Sequence, residues 1–191
     1  MKRFFLTVFL LTITTTFAQK PCDFTTNVTD SIGNYKTTKE YLMYERNFAG
    51  NSSYLFHSIV ITDGLPMLNV QILEKSEGFI KAKCFDKNSK LFIQLENNKI
   101  ITLLHLNQES CGTLVRDDKG INNRVLTGYF IFPKGDYEDL KKIPTTMIRV
   151  KFATENADYI IRKAIKSEID GSLTEPEKYF IDYFHCIEGK D

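Results

Sequence analysis

Hydrophobic and polar residues alternate through the middle of the chain in a pattern that predicts β-strands. Apolar runs cover 54–62 and 67–74, and the Asp63-Gly64 pair between them favours a tight turn. Further strands are predicted at 79–85, 91–95, 100–104, 124–132 and 147–152. The connections are too short for repeated helical crossovers, so the pattern predicts an antiparallel sheet or sandwich.

A helical pattern is clearest near the C-terminus. Thr174-Glu175-Pro176-Glu177 matches a capping box with proline in the first turn, and an apolar stripe follows it. A helix over about 174–188 is therefore expected to pack on the sheet. The predicted fold class is α+β, mainly antiparallel β (a sandwich or a curved sheet) with a C-terminal α-helix.

Three other segments are harder to assign from their residues. Segments 37–48 and 157–169 fit either a helix or a strand, because their apolar spacing suits the first and their residue types suit the second. Residues 23–34 are rich in Thr, Asn, Asp and Gly, and we expect them to form an exposed N-terminal segment.

The first residues are typical of an export signal. Lys2 and Arg3 precede an uncharged, largely apolar run over 4–16, and Ala18 offers a small residue for cleavage. That run is shorter than the roughly 20 apolar residues of a membrane-spanning helix. We therefore predict a signal peptide at 1–18 that is cleaved near Ala18. A single β-rich domain at 19–191 would then lie in the periplasm or outside the cell.

Four cysteines would remain after cleavage, and an even number in an exported chain favours two disulfides. Three pairings are open. We favour Cys84–Cys111, which would join neighbouring strands, together with Cys22–Cys186, which would tie the two ends of the domain. No metal site is expected, because His185 and Cys186 are adjacent and would point about 100° apart on a helix.

Composition and motifs exclude several kinds of function. The chain has 25 Lys+Arg and 24 Asp+Glu, which argues against the dense positive surface that binds nucleic acid without sequence preference. The short signatures of common hydrolases, nucleotide-binding proteins and zinc proteases are missing. Cys111 beside His57 or His105 would resemble a nucleophilic dyad, but Cys111 is better explained as a disulfide partner. We expect no cofactor and no catalytic residue.

Aromatic residues are the remaining candidates for binding. The chain has 9 Tyr, 15 Phe and no Trp, and several of these rings cluster before the first secure strand. An exposed cluster would suit sugar rings or an apolar partner, although core packing is the commoner role of such residues. We take Tyr41, Tyr44 and Tyr54 as a candidate binding patch.

The leading functional hypothesis is a non-catalytic binding module with a protein or carbohydrate partner, and with no nucleic acid or membrane-spanning role. The alternatives are a small secreted hydrolase whose site lies on loops, and a structural component of the cell envelope. A deep pocket with paired carboxylates, or with a histidine beside a nucleophile, would favour the hydrolase.

Overall fold

The computed structural model describes residues 20–31, 33–133 and 137–187 of the 191-residue chain. The predicted signal peptide at 1–18 lies outside the described residues. Strands account for 54% of the described residues and helical turns for 10%, which confirms the predicted mainly antiparallel α+β class. Among the described residues, no helix has the length and apolar character needed to cross a bilayer.

The strands follow one another through most of the described chain. In order they are β1 Phe24–Thr29, β2 Asn34–Thr38, β3 Tyr41–Phe48, β4 Asn51–Thr62, β5 Leu65–Ser76, β6 Cys84–Phe85, β7 Lys90–Leu95, β8 Ile100–His105, β9 Ser110–Cys111, β10 Thr113–Arg116, β11 Asn122–Ile131, β12 Thr145–Lys151, β13 Asn156–Ile160, β14 Ile165–Lys166 and β15 Leu173–Thr174. A 3-10 turn at Glu138–Lys141 precedes β12.

Eleven of these strands, counted over the described residues, form one sheet. Its order is β1-β2-β4-β5-β11-β8-β7-β12-β13, with β3 also paired to β4 and β10 also paired to β11. The pairings within it are antiparallel. The short pairs β6–β9 and β14–β15 lie outside this sheet. Long hairpins joined by tight turns explain the architecture, since Asp63 and Gly64 both adopt the positive φ that the β4–β5 turn requires.

One face of this sheet, which we call the inner face, holds the main core. Alternate residues of β4, β5, β7 and β12 point inwards, including the fully buried Leu55, Leu68, Ile93 and Val150. The C-terminal helical segment closes this face and contributes the buried rings of Tyr179, Phe180 and Phe184. It consists of a 3-10 turn at Pro176–Lys178, α1 at Tyr179–Tyr183 and a second 3-10 turn at Phe184–Ile187.

One close approach inside the core requires a glycine. The buried Phe85 ring stacks on Phe152 and meets Phe130 edge-on, with centroids 5.3 and 5.4 Å apart. A Cβ atom at Gly128 would lie only 2.6 Å from carbons of the Phe85 ring. The missing side chain at Gly128 therefore lets β11 pass directly beside this aromatic cluster.

The structure corrects the local assignments in three places. The N-terminal segment expected to be exposed at 23–34 is mostly exposed, but it contains a strand, because residues 24–29 form β1. The strand predicted over 79–85 is reduced to Cys84–Phe85, and the carbonyl of Ile80 in the preceding loop accepts a side-chain hydrogen bond from Arg124 instead of a strand partner's N–H. The two ambiguous segments both contain strands: segment 37–48 contains β3, and segment 157–169 contains most of β13 and all of β14.

The predicted capping box is also wrong. The residue at the N-cap position is Glu175, and its side chain makes no capping hydrogen bond. The backbone N–H of Glu175 instead donates to the Tyr41 hydroxyl over 2.8 Å. A tertiary contact with β3 has therefore replaced the local cap.

Candidate functional site

The three candidate tyrosines do not form one surface. A β-bulge shifts the register between Leu42 and Tyr44, so Tyr41 and Tyr44 both point towards the core side of β3 although they are three residues apart. Tyr54 points to the outer face, where it joins a small second cluster with Leu42 and Ile165. The bulge also explains why this segment has a spacing that resembles a helix.

Each of these tyrosines packs against other residues of the protein. Tyr41 lies against Tyr179 and Tyr183, with ring centroids 5.2 and 5.4 Å apart. Tyr44 meets Tyr159 edge-on at 5.1 Å. Tyr54 is only 6% exposed. These contacts hold β3 against the C-terminal segment and β13.

Two phenylalanines, by contrast, project strongly into solvent. Phe48 at the end of β3 is 69% exposed, and Phe79 in the loop after β5 is 86% exposed. Both line one open groove with a volume of about 450 Å³, which we call the Phe48–Phe79 groove. An exposed large apolar side chain is common singly, but two at one concave site are typical of a binding surface.

The floor of this groove continues the inner face of the sheet beyond the core. Arg46 lies opposite Ser53, and Ser53 lies opposite Glu74, so one row of paired strands presents three polar side chains there. The same row two residues further into β4 carries Leu55, which is fully buried. The change from apolar to polar residues along β3, β4 and β5 therefore ends the core and begins the groove.

The opposite wall of the groove is the loop at 77–83, which is held in place by hydrogen bonds from Arg124 and by a disulfide. Arg124 Nε donates to the carbonyl of Ile80 over 3.2 Å, and Arg124 Nη1 donates to the carbonyl of Gly112 over 2.6 Å. The disulfide Cys84–Cys111 closes the base of this loop. We call this disulfide the groove brace, because it joins the end of the loop to β9.

Charged side chains give the groove a positive excess. Its described lining contains four cationic and two acidic side chains. Lys81 pairs with Glu155 at 2.8 Å and Lys83 pairs with Glu74 at 2.5 Å, so both carboxylates are already neutralised by lysines. The Arg46 guanidinium lies 5.8 Å from the centre of the Phe48 ring. Cationic and aromatic groups are thus interleaved.

The electrostatics of Glu155 do not suit acid catalysis. The hydrogen bond from Lys81 lowers the pKa of the Glu155 carboxyl below its ordinary value. A general acid in a glycosidase needs a carboxyl whose pKa is raised, so that it keeps its proton near neutral pH. The pKa of Glu155 is therefore shifted in the direction opposite to the one that a catalytic acid needs.

Both favoured disulfide pairs are confirmed. Cys84 and Cys111 join β6 to β9, and Cys22 is bonded to Cys186 across 164 residues of sequence. Two disulfides are characteristic of an oxidising compartment. We call the Cys22–Cys186 bond the terminal clasp, because it joins the residues before β1 to the C-terminal helical segment.

A histidine lies directly beside the terminal clasp. His185 Nε2 is 3.2 Å from Cys22 Sγ and 3.9 Å from Cys186 Sγ. The three ligand atoms lie within 4.8 Å of one another. The expectation that His185 and Cys186 would point apart is therefore wrong, because Cys186 is bonded to Cys22 and the His185 ring also contacts the Cys22 sulfur.

The other two histidines do not form the dyad considered from the sequence. Cys111 is oxidised in the groove brace, and His57 is fully buried against Tyr179 and Phe180. Burial lowers the pKa of His57 to about 3. His105 Nδ1 lies 3.0 Å from the Asp86 carbonyl, which fixes a proton on that nitrogen in the neutral ring.

Sequence reasoning did not select the groove residues. The alternation at 79–85 did place Phe79, Lys81 and Lys83 on one side, and all three line the groove. That signal could have identified them, but exposure depends on which side of the segment the core occupies.

Comparison with known protein families, curated sequences and solved structures gave no match.

Proposed function

We propose that this protein is a non-catalytic binding module that captures an extended acidic segment of a partner protein in the Phe48–Phe79 groove. The observation that carries the proposal is the joint exposure of Phe48 and Phe79 at one concave site. Burying a phenylalanine side chain is worth about 2–3 kcal/mol, so a partner that covers both rings would gain a substantial driving force.

The charges support an acidic ligand. Arg46, Lys75, Lys81 and Lys83 line the groove, and its two carboxylates are held by lysines. Positive potential at a concave site attracts negative partners and speeds their association. Acidic side chains of the ligand would compete with Glu155 for Lys81, whose side chain is 68% exposed.

The residue types favour a peptide over a sugar. Sugar-binding aromatic rings are most useful when they also carry a polar tip, as Tyr and Trp do, and the rings of this groove are both phenylalanines. Phenylalanine rings suit apolar side chains of a polypeptide. The hydroxyls of Ser52 and Ser53 and the amide of Asn51 could bind the peptide backbone between those side chains.

The rigidity of the walls also supports binding. One wall is the paired strands β3, β4 and β5, and the other is fixed by Arg124 and the groove brace. A preformed site loses little conformational entropy when it binds, which raises affinity for a given contact area.

The proposal includes the setting in which the protein acts. We infer that residues 1–18 are an export signal cleaved near Ala18 and that 19–191 work as a single domain outside the cytosol. The two disulfides support this setting, because they persist in oxidising compartments.

The test measures binding of fluorescent peptides by anisotropy. The probes are peptides that alternate Glu with Leu or Phe, the same peptides with Gln for Glu, and an acidic polysaccharide. We expect the acidic peptides to bind, the Gln peptides to bind more weakly, and added salt to weaken the acidic peptides most.

The variants are Phe48→Ser and Phe79→Ser, with Leu173→Ser as the matched control. Leu173 is 71% exposed and lies outside the groove. Each phenylalanine variant should weaken binding at least about 10-fold, while the control leaves it unchanged. Equal binding by Phe79→Ser and the wild type would overturn the groove assignment. Binding of the polysaccharide alone would overturn the peptide assignment.

A further inference from the structure

The terminal clasp brings together three side chains that would all be good ligands for zinc once the disulfide is reduced. Cys22, His185 and Cys186 offer two sulfur atoms and one imidazole nitrogen within 4.8 Å of one another. Among the described residues, His, Cys, Asp and Glu side chains converge in this way only at this position. Cys22 and His185 are half-buried and Cys186 is buried, so solvent reaches the cluster from the side of Cys22 and His185.

We propose that the terminal clasp is a redox-gated zinc site, in which opening of the Cys22–Cys186 disulfide allows both thiolates and the His185 imidazole to bind one Zn²⁺. The proposal is independent of the groove and of its ligand. Zinc prefers thiolate and imidazole ligands in tetrahedral geometry, with bond lengths of about 2.3 Å to sulfur and 2.0–2.1 Å to nitrogen.

The distances already fit this geometry at the nitrogen. Those bond lengths and a tetrahedral angle place a sulfur and a nitrogen ligand about 3.6 Å apart. The observed separations from His185 Nε2 are 3.2 Å to Cys22 Sγ and 3.9 Å to Cys186 Sγ, on either side of that value. Zinc binding therefore requires little movement of the imidazole.

The sulfur atoms must separate, and the backbone permits it. Two thiolates on one zinc ion lie about 3.8 Å apart, which follows from the same bond length and angle. The Cα atoms of Cys22 and Cys186 are 5.7 Å apart, so rotation of the two side chains is enough to open this gap. The groove brace has no such arrangement in the described part of the chain, because no histidine nitrogen accompanies its sulfur atoms.

The chemistry balances with a dithiol as the reductant. The dithiol transfers two electrons and two protons, its own sulfur atoms form a disulfide, and Cys22 and Cys186 become thiols. Zn²⁺ then displaces both thiol protons into solvent, and the two thiolates cancel its charge. A water molecule would fill the fourth position. The metal would join the two ends of the domain as the disulfide does.

The experiment measures metal binding to the full chain with and without reduction. The background is the Cys84→Ser/Cys111→Ser variant, whose remaining thiols are those of the clasp. Zinc is added to the oxidised and to the phosphine-reduced protein in a calorimeter, and Co²⁺ is added as the spectroscopic probe. We expect one ion per chain after reduction, with sulfur-to-cobalt charge-transfer absorption, and no binding before reduction.

His185→Ala in the same background tests the nitrogen ligand. We expect it to weaken zinc binding by more than about 10-fold. Loss of a residue that only supports a metal ligand already weakens binding by at least about 10-fold, and His185 is a direct ligand in this proposal. The Cys22→Ser/Cys186→Ser variant should not bind. Unchanged affinity in His185→Ala, or equal binding by the variant without the clasp cysteines, would overturn the proposal.

A further comparison covers the case in which the Cys84→Ser/Cys111→Ser background does not fold. Reduced wild-type protein is then compared with reduced His185→Ala and His185→Gln, and circular dichroism is recorded on each. Loss of affinity at constant secondary structure would support the site. Equal affinity in the three proteins would overturn it.

Discussion

The two ends of strands β3 and β4 are built from similar residues but differ in how those residues are used. At the end near Tyr41 and His57, aromatic rings pack against Tyr179 of the C-terminal helical segment, which the terminal clasp joins to the residues before β1. At the other end Phe48 and Phe79 remain in solvent above a polar floor, and the groove brace fixes the wall. The comparison shows that aromatic residues are packed at one end of these strands and exposed at the other.

Removal of the terminal clasp should have the largest effect on stability. The Cys22→Ser/Cys186→Ser variant opens a loop of 164 residues, and loop-closure entropy predicts a loss of about 5 kcal/mol in the free energy of unfolding. Urea unfolding of both proteins under oxidising conditions measures the difference. A loss smaller than that from removal of the groove brace would contradict this account.

Removal of the groove brace should be milder for the fold but more severe for binding. The Cys84→Ser/Cys111→Ser variant opens a loop of 27 residues, for which the same entropy gives about 3.5 kcal/mol. Because the brace holds the loop that carries Phe79, peptide affinity should fall at least about 10-fold. The clasp variant, measured at a temperature where it is folded, should keep its affinity and is the matched control.

Acid should lower the free energy of unfolding through protonation of His57. The folded-state pKa of His57 is lowered by burial to about 3 from 6.5, so the unfolded chain takes up the proton first. The contribution of neutral His57 is therefore complete above pH 6.5 and is lost as the pH falls towards 3, by about 3 kcal/mol between pH 7 and about pH 4.

The His57→Leu variant isolates this effect from that of the carboxylates. Several carboxyl groups, including those of Asp86 and Asp158, also have lowered pKa values and also weaken the fold in acid. Denaturant unfolding across this pH range should give a shallower decline for His57→Leu than for the wild type. Parallel declines would show that His57 does not cause the difference.

The exposed ring of Phe79 should have the smallest effect on the fold. Phe79→Ser removes a side chain that is 86% exposed, so we expect a change within about 0.5 kcal/mol in the free energy of unfolding. Thermal unfolding in the absence of peptide measures it. A large loss of stability would mean that Phe79 packs on the protein in solution, and would remove the basis for the open groove.

More of the fold than of the candidate site could be predicted from the sequence. Period-2 alternation identified most long strands, since one face of each is buried and the other is not. The disulfide pairs followed from the idea that neighbouring strands and chain ends lie together. By contrast, the bulge at Met43 reversed the side to which Tyr44 points, and a single extra residue of this kind leaves no clear mark in the sequence.

The site depends on contacts between distant residues. The loop that carries Phe79 is bound by Arg124 through the carbonyl of Ile80, and those residues are far apart in the chain. His185 and Cys186 converge because Cys22 arrives from the other end of the domain. Spacing along one segment could not reveal either arrangement, since each is created by tertiary folding.

The terminal clasp also determines how the molecule would respond to mechanical load. A pull on residues 22 and 186 would be carried by the covalent sulfur bridge, because the bridge joins those two residues directly. The strands between them would feel no shear until that bridge is cut. The protein could therefore be tethered between two anchors under tension without deforming its sheet.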